Sequence, residues 1–270
     1  MTAAGKPRAA RVTVTAEHRR LGAGVAAGRH NPPGWVHVRP AGPYGVGMKT
    51  VIAGGHGQIA LRLARQLTER GDEVVALVRD PSQFADVSAT GARPELADLE
   101  RDSVAMMTTH LAGADAVVFA AGAGPGSTAD RKDSVDRAGA ALLAGAAAQL
   151  GIRRYVLVSS MGAGAAPPAG TDEVFAAYLR AKTAAEEDLR RRDLDWTILR
   201  PGGLTNDAGS GRVRLEARVP RGRIPRDDVA TVIAALLAEP LTAGRTLELI
   251  GGDVPVASAV EAASAPIPNL

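Results

Sequence analysis

"KTVIAGGHGQIALRLARQLTERG", residues 49–71, decides the fold. Thr50, Val51, Ile52 and Ala53 are β-branched or small and show no apolar–polar alternation, the mark of a strand buried on both faces. The stretch from Gln58 onward carries Ile59, Leu63, Ala64 and Leu67 at helical spacing, and Gly71 closes it. Between the two lie Gly54, Gly57 and Ala60, spaced G-x-x-G-x-x-A. Gly54 permits a tight turn, Gly57 removes a side chain where a ligand must touch backbone, and Ala60 lets the helix lie close to the sheet. A helix start just after such a turn offers free N–H groups and a positive dipole end to phosphates. Gly55, His56, Gln58 and Ile59 complete this candidate cofactor-binding turn.

The same alternation continues to the C-terminus. "EVVALVRD" reads as a second strand and "DPSQFADV" as a helix start with an Asp-Pro cap, followed by a short strand near "ARPELADL" and a helix from about Ser103. Strand "ADAVVFAAG", helix 130–150, strand "RYVLVSSMG", helix 172–192 and strand "DWTILRPG" follow. A Gly- and Arg-rich segment, helix 227–238 and strand "RTLELIG" complete the series, with Asp227 or Asp228 expected to cap that last helix. Buried strands alternating with helices predict a doubly wound parallel α/β sheet with helices on both faces, which binds ligands at the carboxyl ends of its strands.

The second strand's end selects the dinucleotide, since an acid there grips a ribose diol and a base accepts a 2′-phosphate. Arg79 is the phosphate candidate, and Asp80, followed by Pro81, reads as the cap of the next helix. NADP is therefore expected in preference to NAD. Asp98 stands where it can accept from an adenine amino group, and "FAAGAG" brings Ala121 and Gly122 beneath the cofactor.

"VFAAYLRAKTAAEE", residues 174–187, puts Tyr178 and Lys182 one turn apart on a single helix face. An ammonium near a phenol favours the ionised form and brings a proton donor into working range. The chain holds 28 arginines and only four lysines, and arginine, always charged, serves poorly in a proton relay. The pair follows "VLVSS", whose serines end a strand at the ligand edge.

Taken in order, "GGHGQIA", "FAAGAG", "VLVSSMG", "YLRAK" and "ILRPGGL" resemble the short-chain dehydrogenase/reductase superfamily. The likeness is to its atypical NAD(P)-binding members, related to epimerase/dehydratase and NmrA-like proteins, and covers essentially all of 48–270 in a Rossmann-like fold. It implies that Tyr178 is the acid/base, that Lys182 holds the nicotinamide ribose and tunes the tyrosine, and that Ser160, rather than Ser159, polarises the substrate oxygen. Backbone at Pro201 and Gly202 would line the nicotinamide. Asp136, in "KDSVDRAGA", stands where the superfamily usually has an asparagine that supports a water chain to the lysine; part of that role runs through the main-chain carbonyl, so aspartate can substitute. Retention of Ser160, Tyr178 and Lys182 implies an enzyme, an oxidoreductase on a carbonyl or carbinol group; an epimerase/dehydratase and a non-catalytic NADP(H) sensor that binds a protein partner are the alternatives.

Composition bounds the rest. The chain has 270 residues, 46% hydrophobic, enough for one compact domain. It has no cysteine, which excludes disulfides and thiol nucleophiles, and its five histidines form no close pair with ligand spacing, so no metal is expected. A reducing cytoplasm fits. The formal net charge of +3 divides unevenly: residues 1–47 hold seven basic residues and one acid, leaving 25 basic and 28 acidic residues in 48–270. The basicity belongs to the leading segment, which has no sustained apolar period and is expected to be a disordered extension, with Met48 beginning the folded domain. No nucleic-acid footprint and no membrane segment is expected, and the partner is a small-molecule substrate of a monomer or homodimer. Residues 204–225 leave little chain for a lid, which favours a small substrate, and Arg212, Arg214, Arg218, Arg221 and Arg223 crowd that segment as a solvated basic loop or, secondarily, an attractor of anions.

Overall fold

The computed structural model describes residues 47–124 and 126–266. The expected disorder of 1–47 falls, Gly47 apart, outside the described residues. Strands β1 (Lys49–Ala53), β2 (Glu73–Val78), β3 (Arg93–Leu96), β4 (Ala116–Phe119), β5 (Arg154–Val158), β6 (Asp195–Pro201) and β10 (Arg245–Gly251) run parallel in one sheet. The sheet is extended by β8 (Arg212–Glu216), antiparallel to β10, and by β11 (Val254–Pro255), antiparallel to β8, giving the order β11-β8-β10-β6-β5-β4-β1-β2-β3. The order reverses between β1 and β4, and a crevice forms at the carboxyl ends on either side of that point.

Helices cover both faces because successive strand residues point to opposite sides. Val51, Val117, Phe119 and Leu157 pack on one face with Leu143 and Leu189; Ile52, Val118 and Val156 pack on the other with Leu63, Ile233 and Leu236. The first face carries α3 (Val104–Leu111), α5 (Ala140–Leu150) and α6 (Glu173–Arg190), and the second carries α1 (Gln58–Glu69), α7 (Arg226–Ala238) and α8 (Val256–Ser264). A short α2 (Phe84–Ser88) follows a 3₁₀ turn whose N-cap is Asp80, its carboxylate accepting from the Ser82 N–H at 2.9 Å.

Three features differ from the sequence expectation. The helix expected over 130–150 is α4 (Ala129–Arg131), a π-helical stretch (Lys132–Gly139) and α5 in succession; Lys132, Val135, Asp136 and Gly139 are the buried residues of the middle piece. The Gly- and Arg-rich segment contains β8 and a separate pair, β7 (Gly203–Thr205) with β9 (Arg223–Pro225). Asp227 and Asp228 do not cap α7, whose N-cap is Pro225; Asp228 instead accepts from the Ser210 and Gly211 N–H groups at 3.0 and 2.8 Å, fastening the approach to β8. Among the described residues no helix is long and apolar enough to cross a membrane.

Candidate functional site

The glycine turn leaves β1 with Gly54 at φ +77°, left-handed backbone that a side chain resists. A Cβ there would also come within 2.5 Å of the Ala121 Cα, so the turn can lie on the end of β4 only without one. Gly57 is the N-cap of α1 with no side-chain cap, and the first helical bond runs from Leu61 N–H to Gly57 O, leaving the N–H groups of Gln58, Ile59 and Ala60 without partners inside the helix. Beside this turn lies a hollow of about 320 Å³ lined by Gly54, His56, Arg79, Asp98 and Arg131 among others. A second hollow, of about 490 Å³, is lined by Ile59, Ser160, Tyr178, Lys182, Pro201 and Gly202 among others. Both are bounded by Ala120, Ala121 and Gly122, so they adjoin along the strand ends. A glycine cradle and two adjoining hollows fit an extended dinucleotide: Gly54–Ile59 for its phosphates, the first hollow for the adenosine half, the second for the nicotinamide half.

Around the first hollow, His56 Nε2 lies 2.8 Å from Asp86 Oδ2, and Asp98 caps its own turn by accepting from the Glu100 N–H at 2.9 Å. Arg79, half exposed, sits 3.7 Å from Glu100, and Arg131 donates to the same carboxylate at 2.7 Å. The bond from Ser134 and the two arginines hold the Glu100 carboxyl below its usual range. Arg131 escaped the sequence reading because it lies 31 residues from Glu100 and only the fold brings them together.

In the second hollow Tyr178 is half-buried and stacked on Phe175, ring centroids 5.8 Å apart. Two ammonium groups face its ring: Lys182 Nζ at 5.8 Å and Lys132 Nζ at 5.4 Å from the centroid. Lys182 is buried, donating to Val158 O at 3.1 Å and Ala121 O at 3.4 Å. Its Nζ lies 3.1 Å from Asp136 Oδ1, an ion pair not aligned as a hydrogen bond, while Asp136 Oδ2 accepts from the Ala123 N–H at 3.0 Å. The ammonium thus donates to two main-chain oxygens and meets Asp136 directly. Lys132 lies one turn ahead of Asp136 on the same buried face, and its approach to Tyr178 on a separate helix leaves no local mark in the sequence.

Ser160 lines the hollow, its hydroxyl only 3.4 Å from Met161 O, whereas Ser159 is buried and donates to Glu186 Oε1 at 2.6 Å. Glu186 also accepts from Arg200 Nε at 2.8 Å and Arg190 at 2.9 Å, so this network anchors the end of β5 beneath the site. Burial works against the Glu186 charge, but the bonds from Arg200 and Ser159 outweigh it and hold its pKa below the ordinary value. A depressed carboxylate contributes stability that is complete above the unfolded pKa of about 4.3 and is lost as pH falls through the folded value. Urea unfolding between pH 6 and 3 should therefore show a steeper loss of stability in the wild type than in Glu186→Gln; parallel curves would contradict this. The arginines at 212, 214, 218, 221 and 223 line neither hollow; Arg212 and Arg214 alternate outward on β8 with buried Val213 and Leu215, which answers to the solvated reading.

The fold and this cradle define a Rossmann-like nucleotide-binding protein. Residues 54–240 match the NAD(P)H-binding family, and the chain belongs to it. It is 38% identical over 215 residues to a Bacillus subtilis protein bearing the name sugar epimerase YhfK and described as uncharacterized, covering 79% of this chain and 99% of that one. Among solved structures it is similar to one named as an NAD-dependent epimerase/dehydratase from Bacillus halodurans, at 37% identity and TM-score 0.74, covering 80% of this chain and all of the other. It is also similar to the oxidoreductase ylbE from Lactococcus lactis, at 25% identity and TM-score 0.69, covering 80% and 96%.

Proposed function

We propose that the chain is an NADP(H)-dependent oxidoreductase acting on the carbonyl or carbinol carbon of a small molecule, with Tyr178 as general acid/base. The observation that carries this reading is the gathering of Tyr178, Ser160 and Gly202 around one hollow that adjoins the glycine turn. Bound NADPH would supply a hydride to the carbonyl carbon. Tyr178 then gives its proton to the carbonyl oxygen in reduction and removes it in oxidation, and Ser160 holds that oxygen by a hydrogen bond. Lys182 and Asp136 act from beneath: their ion pair ties α6 to the π-helical stretch and fixes the tyrosine one helical turn away. The preference for NADP rests on Arg79 and Arg131, two guanidinium groups at the rim of the adenosine hollow that share one carboxylate and suit a 2′-phosphate.

Titration should find NADPH bound at least about tenfold more tightly than NADH, with the preference lost in the Arg79→Ala/Arg131→Ala double variant and NADH affinity nearly unchanged. Tighter NADH binding, with both affinities untouched by the substitutions, would contradict the cofactor assignment.

A second reading is favoured by the similarity to a protein named as a sugar epimerase: the same tyrosine would serve an oxidation and re-reduction on one retained cofactor. Net NADPH consumption with a carbonyl panel supports the reductase; cofactor retained through purification, with epimer formed and no net oxidation, supports the epimerase.

A further inference from the structure

Two of the chain's four lysines lie buried beside Tyr178, and they are not equivalent. Lys182 is compensated by Asp136 at 3.1 Å. Lys132 is 9% exposed, donates to Gly124 O at 2.8 Å, and meets no carboxylate within 4.0 Å among the described residues. An ammonium carries three donors, and an enclosed charge without a counter-ion is costly, so this one is poised for an anion. Asp136 is already paired with Lys182, and the other acid in the lining, Asp172, is engaged in capping α6, its carboxylate accepting from the Phe175 N–H at 3.0 Å. Arg226, whose guanidinium donates to the neutral Asn206 at 2.8 Å, adds a second cation to the same lining. Part of the remaining wall is apolar: Phe175, Val174 and Leu204 are large, partly exposed and line this hollow. No asparagine, glutamine or threonine among the described residues lines it to receive sugar hydroxyls.

We infer that the substrate is an amphipathic anion, its carboxylate or phosphate held by Lys132 and its apolar body lying on Phe175, Val174 and Leu204. This rests on the oxidoreductase reading and names the substrate class of the same site. A 2-oxo acid or its 2-hydroxy counterpart places the anionic group beside the reacting carbon, as the closeness of Lys132 to the Tyr178 ring requires.

The test is calorimetric titration of the full chain, saturated with NADP⁺ so that no reduction occurs, with benzoylformate, its uncharged methyl ester, and phenyl phosphate. At least one of the two anions should bind about tenfold or more tightly than the ester, and which one does separates carboxylate from phosphate. Lys132→Met, which keeps an unbranched side chain one atom shorter and removes the charge, should bring the anion down to the ester's affinity while NADP⁺ affinity stays within about twofold; Lys132→Arg should restore part of the preference. Equal affinity for anion and ester, no binding of any of the three, or a preference that survives in Lys132→Met overturns the inference. Loss of NADP⁺ binding in Lys132→Met also overturns it, by assigning the ammonium to the cofactor. Wild-type chain that fails to bind NADP⁺ at all sinks the oxidoreductase reading itself, a separate outcome.

Discussion

Replacing Tyr178 by phenylalanine should lower carbonyl-dependent NADPH oxidation by roughly 10²–10⁴-fold, the range a positioned general acid contributes. The substitution removes one hydroxyl and leaves the ring, which keeps its stacking on Phe175 and its place beside both ammonium groups. NADPH affinity and the thermal midpoint should consequently stay close to wild type, and the loss should fall on kcat. Steady-state kinetics paired with a cofactor titration checks both halves. Turnover undiminished in the variant would transfer the proton to another donor, with Ser160 a candidate in the same lining. Wild-type chain that binds NADPH but reduces nothing across a broad carbonyl panel would favour a cofactor sensor.

The largest effect on stability is expected from Asp136→Ala. The carboxylate is fully buried, faces the buried Lys182 ammonium at 3.1 Å and accepts from the Ala123 N–H at 3.0 Å. Removing it strands a charge inside the protein and leaves a backbone donor without its partner, a combination that costs about 3–5 kcal/mol. Against total stabilities of about 5–15 kcal/mol this is a large share, and it corresponds to a fall of roughly 10 °C in Tm. Asp136→Asn keeps the acceptor for Ala123 and loses only the charge, so it should fall between. Urea and thermal unfolding measure both. A cost below about 1 kcal/mol for the alanine variant would show that the ion pair does not hold this corner together.

These expectations draw on features that differ in how far the sequence reveals them. The glycine turn is legible because a strand, two spaced glycines and an amphipathic helix are contiguous, and the local rules that shape them act over a few residues. The parallel sheet is legible for the same reason, since each buried strand announces itself before each helix. Tyr178 and Lys182 are readable as a pair because helical spacing alone sets them on one face. Lys132 and Asp136 are four apart and share a face in the same way, but their meeting with Tyr178 and Lys182 depends on the packing of this segment against α6, which has no local signal. Arg131 and Glu100 come from separate elements, and their meeting at the hollow beside the glycine turn has no local signal. The strands within 203–225 were hidden by glycine and arginine, and β8 is held at the sheet edge by β10 and by Asp228, both distant in sequence.

The account stands on one spatial claim, that the nicotinamide half of a dinucleotide lies in the hollow that holds Tyr178 and Ser160. A crystal structure of the chain with NADP⁺ bound tests it directly. The account predicts phosphates on the N–H groups of Gln58 and Ile59, adenosine beside Arg79 and Arg131, and the nicotinamide ring against Pro201 and Gly202 with the Tyr178 hydroxyl facing its reactive carbon. A nicotinamide ring seated away from Tyr178, or a cofactor bound with its two halves exchanged between the hollows, would contradict it.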